Sequence, residues 1–137
     1  MMEKKVFQAK RDCLSQVMNF ITEQLEKWDC GMKEQMQIEL AIEEIFVNIA
    51  SYAYPDGEGI ARISLALDES TGKVGILIED EGIPYNPLEK EDPDVNQDAK
   101  ERQIGGLGIY MVKKSMDEVA YQWENGWNQL TIQKKIR

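Results

Sequence analysis

A chain of 137 residues, 42% hydrophobic and 30% charged, has the make-up of one ordinary globular domain with a core of its own. Its net charge of −9 argues against non-specific binding to DNA or RNA, which needs clustered Lys and Arg, and permits either steering toward a basic partner or plain solubility. No apolar run approaches the roughly 20 residues of a bilayer crossing, and no signal-peptide pattern follows the N-terminal methionines, so the expectation is a cytoplasmic protein with no membrane partner.

In chain order, 4–10 carries a weak pattern for a short edge strand. Leu14, Val17, Met18, Ile21 and Leu25 then recur at three- and four-residue steps, which predicts an amphipathic helix stopping near Asp29-Cys30-Gly31. A second helix is predicted over about 33–53, ended by Tyr54-Pro55-Asp56-Gly57. Ile63, Leu65 and Leu67 alternate with polar residues as in a half-buried strand. The turn at Asp68-Glu69-Ser70-Thr71-Gly72 leads into a strand over 74–79 that is apolar on both faces, as suits a central position. The polar stretch 87–104 shows no period, and loops this long in small domains are functional or disordered. Gly105-Gly106-Leu107-Gly108 opens a third helix to about Met116, and two last strands, 118–124 and 127–134, are joined by Asn125-Gly126, a hairpin dipeptide. This order predicts an α+β two-layer sandwich, with a mixed, mostly antiparallel sheet and helices on one face, filling residues 1–137 as a single domain.

Histidine is absent, which removes the usual general base and zinc ligand. Cys13 and Cys30 lack CxxC spacing and read as small hydrophobes. Three places remain where chemistry could reside. On the second helix, Ile38, Ile42, Ile45 and Ile49 form the core stripe. Glu44 and Asn48, four apart, stack beside it, while Glu39 and Glu43 point toward solvent. A carboxylate and an amide at an apolar rim could orient a hydroxyl and ligate a hard cation, or be a solvated pair. Asp80 ends a central strand on the face of Ile76 and Ile78, and Gly82 follows, allowing close backbone approach or positive φ. That arrangement suits the exocyclic amine of adenine, or merely an Asx turn. The glycines before the third helix could present N–H groups and the helix dipole to a phosphate, or be only a turn. They have neither P-loop nor Rossmann spacing.

Taken together, these elements resemble the Bergerat nucleotide site of the GHKL superfamily, and most closely the small anti-sigma factor serine kinases of bacteria. The resemblance rests on Glu44-Ile45-Phe46-Val47-Asn48, on Asp80-Glu81-Gly82-Ile83-Pro84-Tyr85-Asn86-Pro87, and on Gly106-Leu107-Gly108-Ile109-Tyr110-Met111-Val112. It covers roughly 14–134, and the run from Asp80 to Pro87 is its most specific part. It implies ATP and Mg²⁺ as cofactors, Glu44 as general base toward a substrate serine, and Asn48 as metal ligand. Asp80 would accept the adenine amine, and Gly82 would let the base approach. Tyr85 and Asn86 would belong to the nucleotide side, and Gly105, Gly106, Leu107 and Gly108 would wrap the phosphates. Residues 88–104 would be a lid that carries Arg102 toward the γ-phosphate. Two positions depart from the family pattern: Tyr52 stands where histidine is common, and Trp127-Asn128 replaces a Gly-Thr step, which makes Asn128 a candidate substitute for one adenine-side contact.

The resemblance further implies phosphorylation of a STAS-type anti-sigma-factor antagonist, sequestration of a sigma factor, and a homodimer. Two rival readings stand beside it. One is a non-catalytic ATP-binding regulatory module, and the other is a stand-alone ATPase unit of a histidine-kinase-like system.

Overall fold

Residues that alternate in the sequence become strands, and those that recur every three or four become helices, in the computed structural model, which describes residues 2–89 and 106–137. Strand β1 is Met2–Gln8, helix α1 Leu14–Lys27, helix α2 Met32–Tyr52, strands β2 and β3 Ile60–Asp68 and Lys73–Asp80, helix α3 Gly106–Ser115, and strands β4 and β5 Glu118–Glu124 and Trp127–Lys135. Short 3-10 turns at Arg11–Cys13 and Pro87–Glu89 complete the described elements.

The strands form one sheet in the order β1-β2-β3-β5-β4. All four ladders are antiparallel, so the expected mixed sheet is corrected. The physical reason lies in the placement of β5. Strand β4 runs in the direction of β3, but its hairpin partner β5 inserts between them, so no parallel pair forms among the described residues. The β4–β5 hairpin turns at Asn125 and Gly126, with φ of 53° and 86°, which this dipeptide accepts readily. The β2–β3 turn uses Gly72 at φ 72°, and the Asp68 carboxylate accepts the Ser70 N–H at 3.0 Å.

One face of the sheet and the three helices share a single core. Ala61, Ile63 and Leu65 of β2, Val74, Ile76 and Ile78 of β3, and Ile132 of β5 point into it and are buried. Opposite them lie Val17, Ile21 and Leu25 of α1 and Ile38, Ile42, Ile45 and Phe46 of α2. Each buried Val, Leu, Ile or Phe side chain among these contributes about 1.5–3 kcal/mol before entropy is charged against it. The other sheet face is polar. There Arg62 grips Glu79 through two bonds of 2.8 and 3.0 Å, Gln129 donates to the same carboxylate at 2.9 Å, and the guanidinium lies 4.1 Å from the Trp127 ring centroid. At the edge, β1 exposes Glu3, Lys4 and Lys5, charges that discourage pairing with another chain.

Candidate functional site

Helix α2 is long because nothing interrupts its apolar stripe between Gly31 and Pro55, and it ends where Pro55 forces Tyr54 out of helical geometry. Its C-terminal end is stitched to the end of β3. The Tyr54 hydroxyl donates to the Ile60 carbonyl at 2.5 Å and accepts the Glu81 N–H at 2.8 Å. The Ile83 N–H donates to the Ala53 carbonyl at 2.9 Å. Gly82 is buried in this seam, where a Cβ would meet the Ala53 carbonyl carbon at 2.7 Å. Its φ is not positive, so of the two uses foreseen for this glycine, close backbone approach is the one realised. The element that approaches is the end of α2.

Between α2 and the sheet this seam leaves a cavity of about 450 Å³. Ile45, Asn48, Ile49 and Tyr52 of α2, with Ala53 at its end, form one wall, and Ile78, Asp80, Asn128 and Leu130 of the sheet form the floor. Ile83, Tyr85 and Pro87 lie on one side, with Ile109 of α3 and Tyr121 of β4 completing the lining. Such an apolar cleft with few polar groups is what a small planar ligand requires.

Asp80 is the acidic group of that floor and only 6% exposed. Its Oδ1 accepts the Gly82 N–H and the Asn128 Nδ2, each at 2.9 Å, and Oδ2 has no hydrogen bond among the described residues. Burial pushes its carboxyl above the ordinary range, and the two donated bonds pull it back. An acceptor held this way fits an exocyclic amine. Asn128, also 6% exposed, does not offer itself to a ligand as the sequence suggested. Its Nδ2 is spent on Asp80 and on the Ile83 carbonyl at 2.9 Å, and its Oδ1 accepts the Tyr85 N–H at 3.1 Å and the Tyr121 hydroxyl.

On the α2 side, Glu44 and Asn48 are half-buried, with Asn48 Nδ2 donating to Glu44 Oε1 at 3.3 Å. That bond leaves the Asn48 Oδ1, a neutral oxygen suited to a hard cation, uncommitted among the described residues. A Cβ on Gly108 would run into the Glu44 carboxylate, so the first turn of α3 lies directly against this pair. Of the residues singled out from sequence, Glu44, Asn48, Asp80, Tyr85 and Gly108 are brought around one cleft, and Gly106 and Leu107 begin α3 beside it. Asn86 lines only an adjoining depression, and its side-chain oxygen is taken by the Leu88 N–H at 2.9 Å. Of the expected lid, Leu88 and Glu89 belong to the 3-10 turn, whereas Arg102, Gly105 and the rest of 88–104 lie outside the described residues.

Other placements also differ from the sequence reading. Glu39 does not simply face solvent: it accepts the Thr22 hydroxyl of α1 at 2.7 Å and Gln35 at 3.2 Å. The contributions of Tyr121 and Tyr54 were not foreseen. A signal for Tyr121 existed, since it alternates with Val119 on the inward face of β4.

The profile of the histidine kinase-like ATPase domain family matches residues 7–134, and the chain belongs to that family. Among curated proteins it is 29% identical over 107 residues to the serine/threonine-protein kinase BtrW of Bordetella bronchiseptica, covering 78% of this chain and 73% of that protein. It is 28% identical over 91 residues to the serine-protein kinase RsbW of Staphylococcus aureus, covering 64% of this chain and 57% of that relative's length. A crystal structure of the RsbU and RsbW domains of a Mycobacterium tuberculosis protein shares the fold, with a TM-score of 0.71 at 16% identity over 99% of this chain and 32% of the other. The histidine kinase domain of a blue-light activated kinase from Erythrobacter litoralis superposes with a TM-score of 0.57 at 15% identity, over 90% of this chain and 59% of that one. Among the described residues no helix is long and apolar enough to cross a membrane.

Proposed function

We propose that the chain is a serine/threonine protein kinase that also acts as an anti-sigma factor, using ATP and Mg²⁺ to phosphorylate a STAS-type antagonist and holding a sigma factor when that antagonist is phosphorylated. The observation that carries the nucleotide part is Asp80, a buried acceptor with Oδ2 uncommitted, at the floor of an apolar cleft of about 450 Å³. Support for the transfer step comes from Glu44 and Asn48 beside the first turn of α3, and from relatives named as serine or serine/threonine kinases.

In this reading the purine lies between the α2 wall and the sheet with its amine on Asp80, and the phosphates extend toward the start of α3, whose N–H groups and dipole favour negative charge. Asn48 would hold the metal, which when bound supplies charge neutralisation for the phosphates. Glu44 takes the proton of the substrate hydroxyl as its oxygen bonds to the γ-phosphorus and the bond to ADP breaks. Positioning and electrostatics supply most of the rate in such transfers. Arg102 and Gly105 complete the phosphate side in this proposal, and residues 1–137 act as one domain, with homodimer contacts on the same sandwich.

The test is transfer of labelled phosphate from ATP to a purified STAS-type protein, followed by acid and base stability of the product. A serine or threonine ester, lost by at least about 100-fold in Glu44→Gln, supports the proposal. Acid-labile phosphohistidine would assign the chain to a histidine-kinase system instead, and tight ATP binding with no transfer would make it a regulatory module.

A further inference from the structure

The Asn128 side chain sits at the crossing of four hydrogen bonds, and the chemistry of its partners fixes which way its amide points. The Tyr85 N–H can only donate, and the Ile83 carbonyl can only accept. Oδ1 therefore faces Tyr85 and Tyr121, and Nδ2 faces Ile83 and Asp80. Asn128 and Asp80 are direct cross-strand partners of the β5–β3 ladder, so the backbone sets their spacing.

This geometry commits Asp80. Its Oδ1 receives two donors, the Gly82 N–H and the Asn128 Nδ2, each at 2.9 Å. A carboxylate pinned at one oxygen by two donors is held in one rotamer and presents its other oxygen to the cleft as an acceptor. Asn128 has no donor or acceptor to spare for a ligand, so any effect it has on recognition passes through Asp80 and the Ile83–Tyr85 segment.

We propose that Asn128 is the positioning residue that sets base selectivity, clamping Asp80 as an acceptor so that the cleft takes a 6-amino purine and rejects a 6-oxo purine. The inference rests on the nucleotide-binding reading above and adds to it the residue that enforces the choice. A 6-oxo base brings a carbonyl oxygen against the Asp80 carboxylate, two acceptors with no proton between them. Without the amide, Oδ1 keeps only the Gly82 N–H, so the carboxylate turns or takes up a proton more readily, and a protonated carboxyl can donate to that carbonyl. Selectivity then falls.

Calorimetry with ATP·Mg²⁺ and ITP·Mg²⁺ on the full chain separates this role from simple support of the loop. The wild type should favour ATP by about tenfold or more. In Asn128→Ala, ATP affinity should fall about tenfold while ITP affinity changes less than about threefold, so the ratio collapses. Tyr121→Phe keeps Asn128 and the ring, and should narrow the ratio by about threefold, which preserves the test if the alanine variant folds poorly. Equal losses for both nucleotides, leaving the ratio at its wild-type value in both variants, would overturn the proposal while the nucleotide reading survives. A wild type that binds neither nucleotide would overturn both.

Discussion

Burial favours the neutral form of the Asp80 carboxyl, and substituting it separates folding from binding. Asparagine at this position can keep its oxygen toward Gly82 and Asn128, retaining both internal bonds while removing a buried charge. Because burial raises the folded carboxyl above its unfolded value, the stability tied to Asp80 is full in acid and lost as pH rises through the folded value. Asp80→Asn should therefore melt no lower than the wild type at pH 7, with any advantage vanishing below about pH 4, the unfolded Asp value. Thermal melts across pH check this, and a variant that is much less stable at pH 7 would contradict it. Gly108 supports a second separation. An alanine there meets the Glu44 carboxylate, the end of a flexible side chain, so folding should change little. Phosphoryl transfer should drop by about 100-fold because the proposed base is moved. Comparing kcat with KM in Gly108→Ala is the check, and an unchanged kcat would remove Glu44 from the chemistry.

At the scale of elements, the seam between α2 and β3 holds the cleft open at a defined width. Gly82→Ala would press a methyl group onto the Ala53 backbone, which cannot yield as a side-chain tip does. A loss of about 1–3 kcal/mol in denaturant unfolding is expected. The polar face behaves differently. Arg62 holds the Glu79 carboxyl below the usual range, with Gln129 assisting, so this stabilisation is present above the unfolded Glu value and lost as pH falls through the folded one. Glu79→Gln should cost about 1–2 kcal/mol at pH 7 and nothing in strong acid, as melts at the two pH values will show. Much of this was legible in the sequence. The isoleucine stripe of α2, the Asp80 face of β3 and the Asn-Gly hairpin follow from period and turn chemistry, and β4 falls at its expected residues 118–124. What period cannot reveal is strand order, because the insertion of β5 between β3 and β4 is decided by packing of the whole sheet. The same insertion sets Asn128 beside Asp80, which explains why its four bonds were invisible in a linear reading. Phe46 was likewise not placed in the core stripe, yet it is fully buried, because α2 is covered by α1 and the sheet together.

For the whole molecule, the described residues form a cleft between a helix layer and a sheet, and occupancy of that cleft is linked to stability. A ligand that binds only the folded chain adds about 2.7 kcal/mol at a hundred times its Kd. If nucleotide state also changes which protein partner is held, the coupling must appear equally in both affinities. The polar outer face of the sheet and the exposed Met32, Met36 and Leu40 of α2 remain surfaces on which such partners could sit. In the proposed reading, partner choice follows entry of nucleotide into the cleft. The most direct measurement is therefore calorimetric binding of ATP·Mg²⁺ to the wild type and to Asp80→Asn. The account predicts a single saturable site in the wild type that is lost in the folded variant. No binding by the wild type, or equal binding by the two, would contradict it.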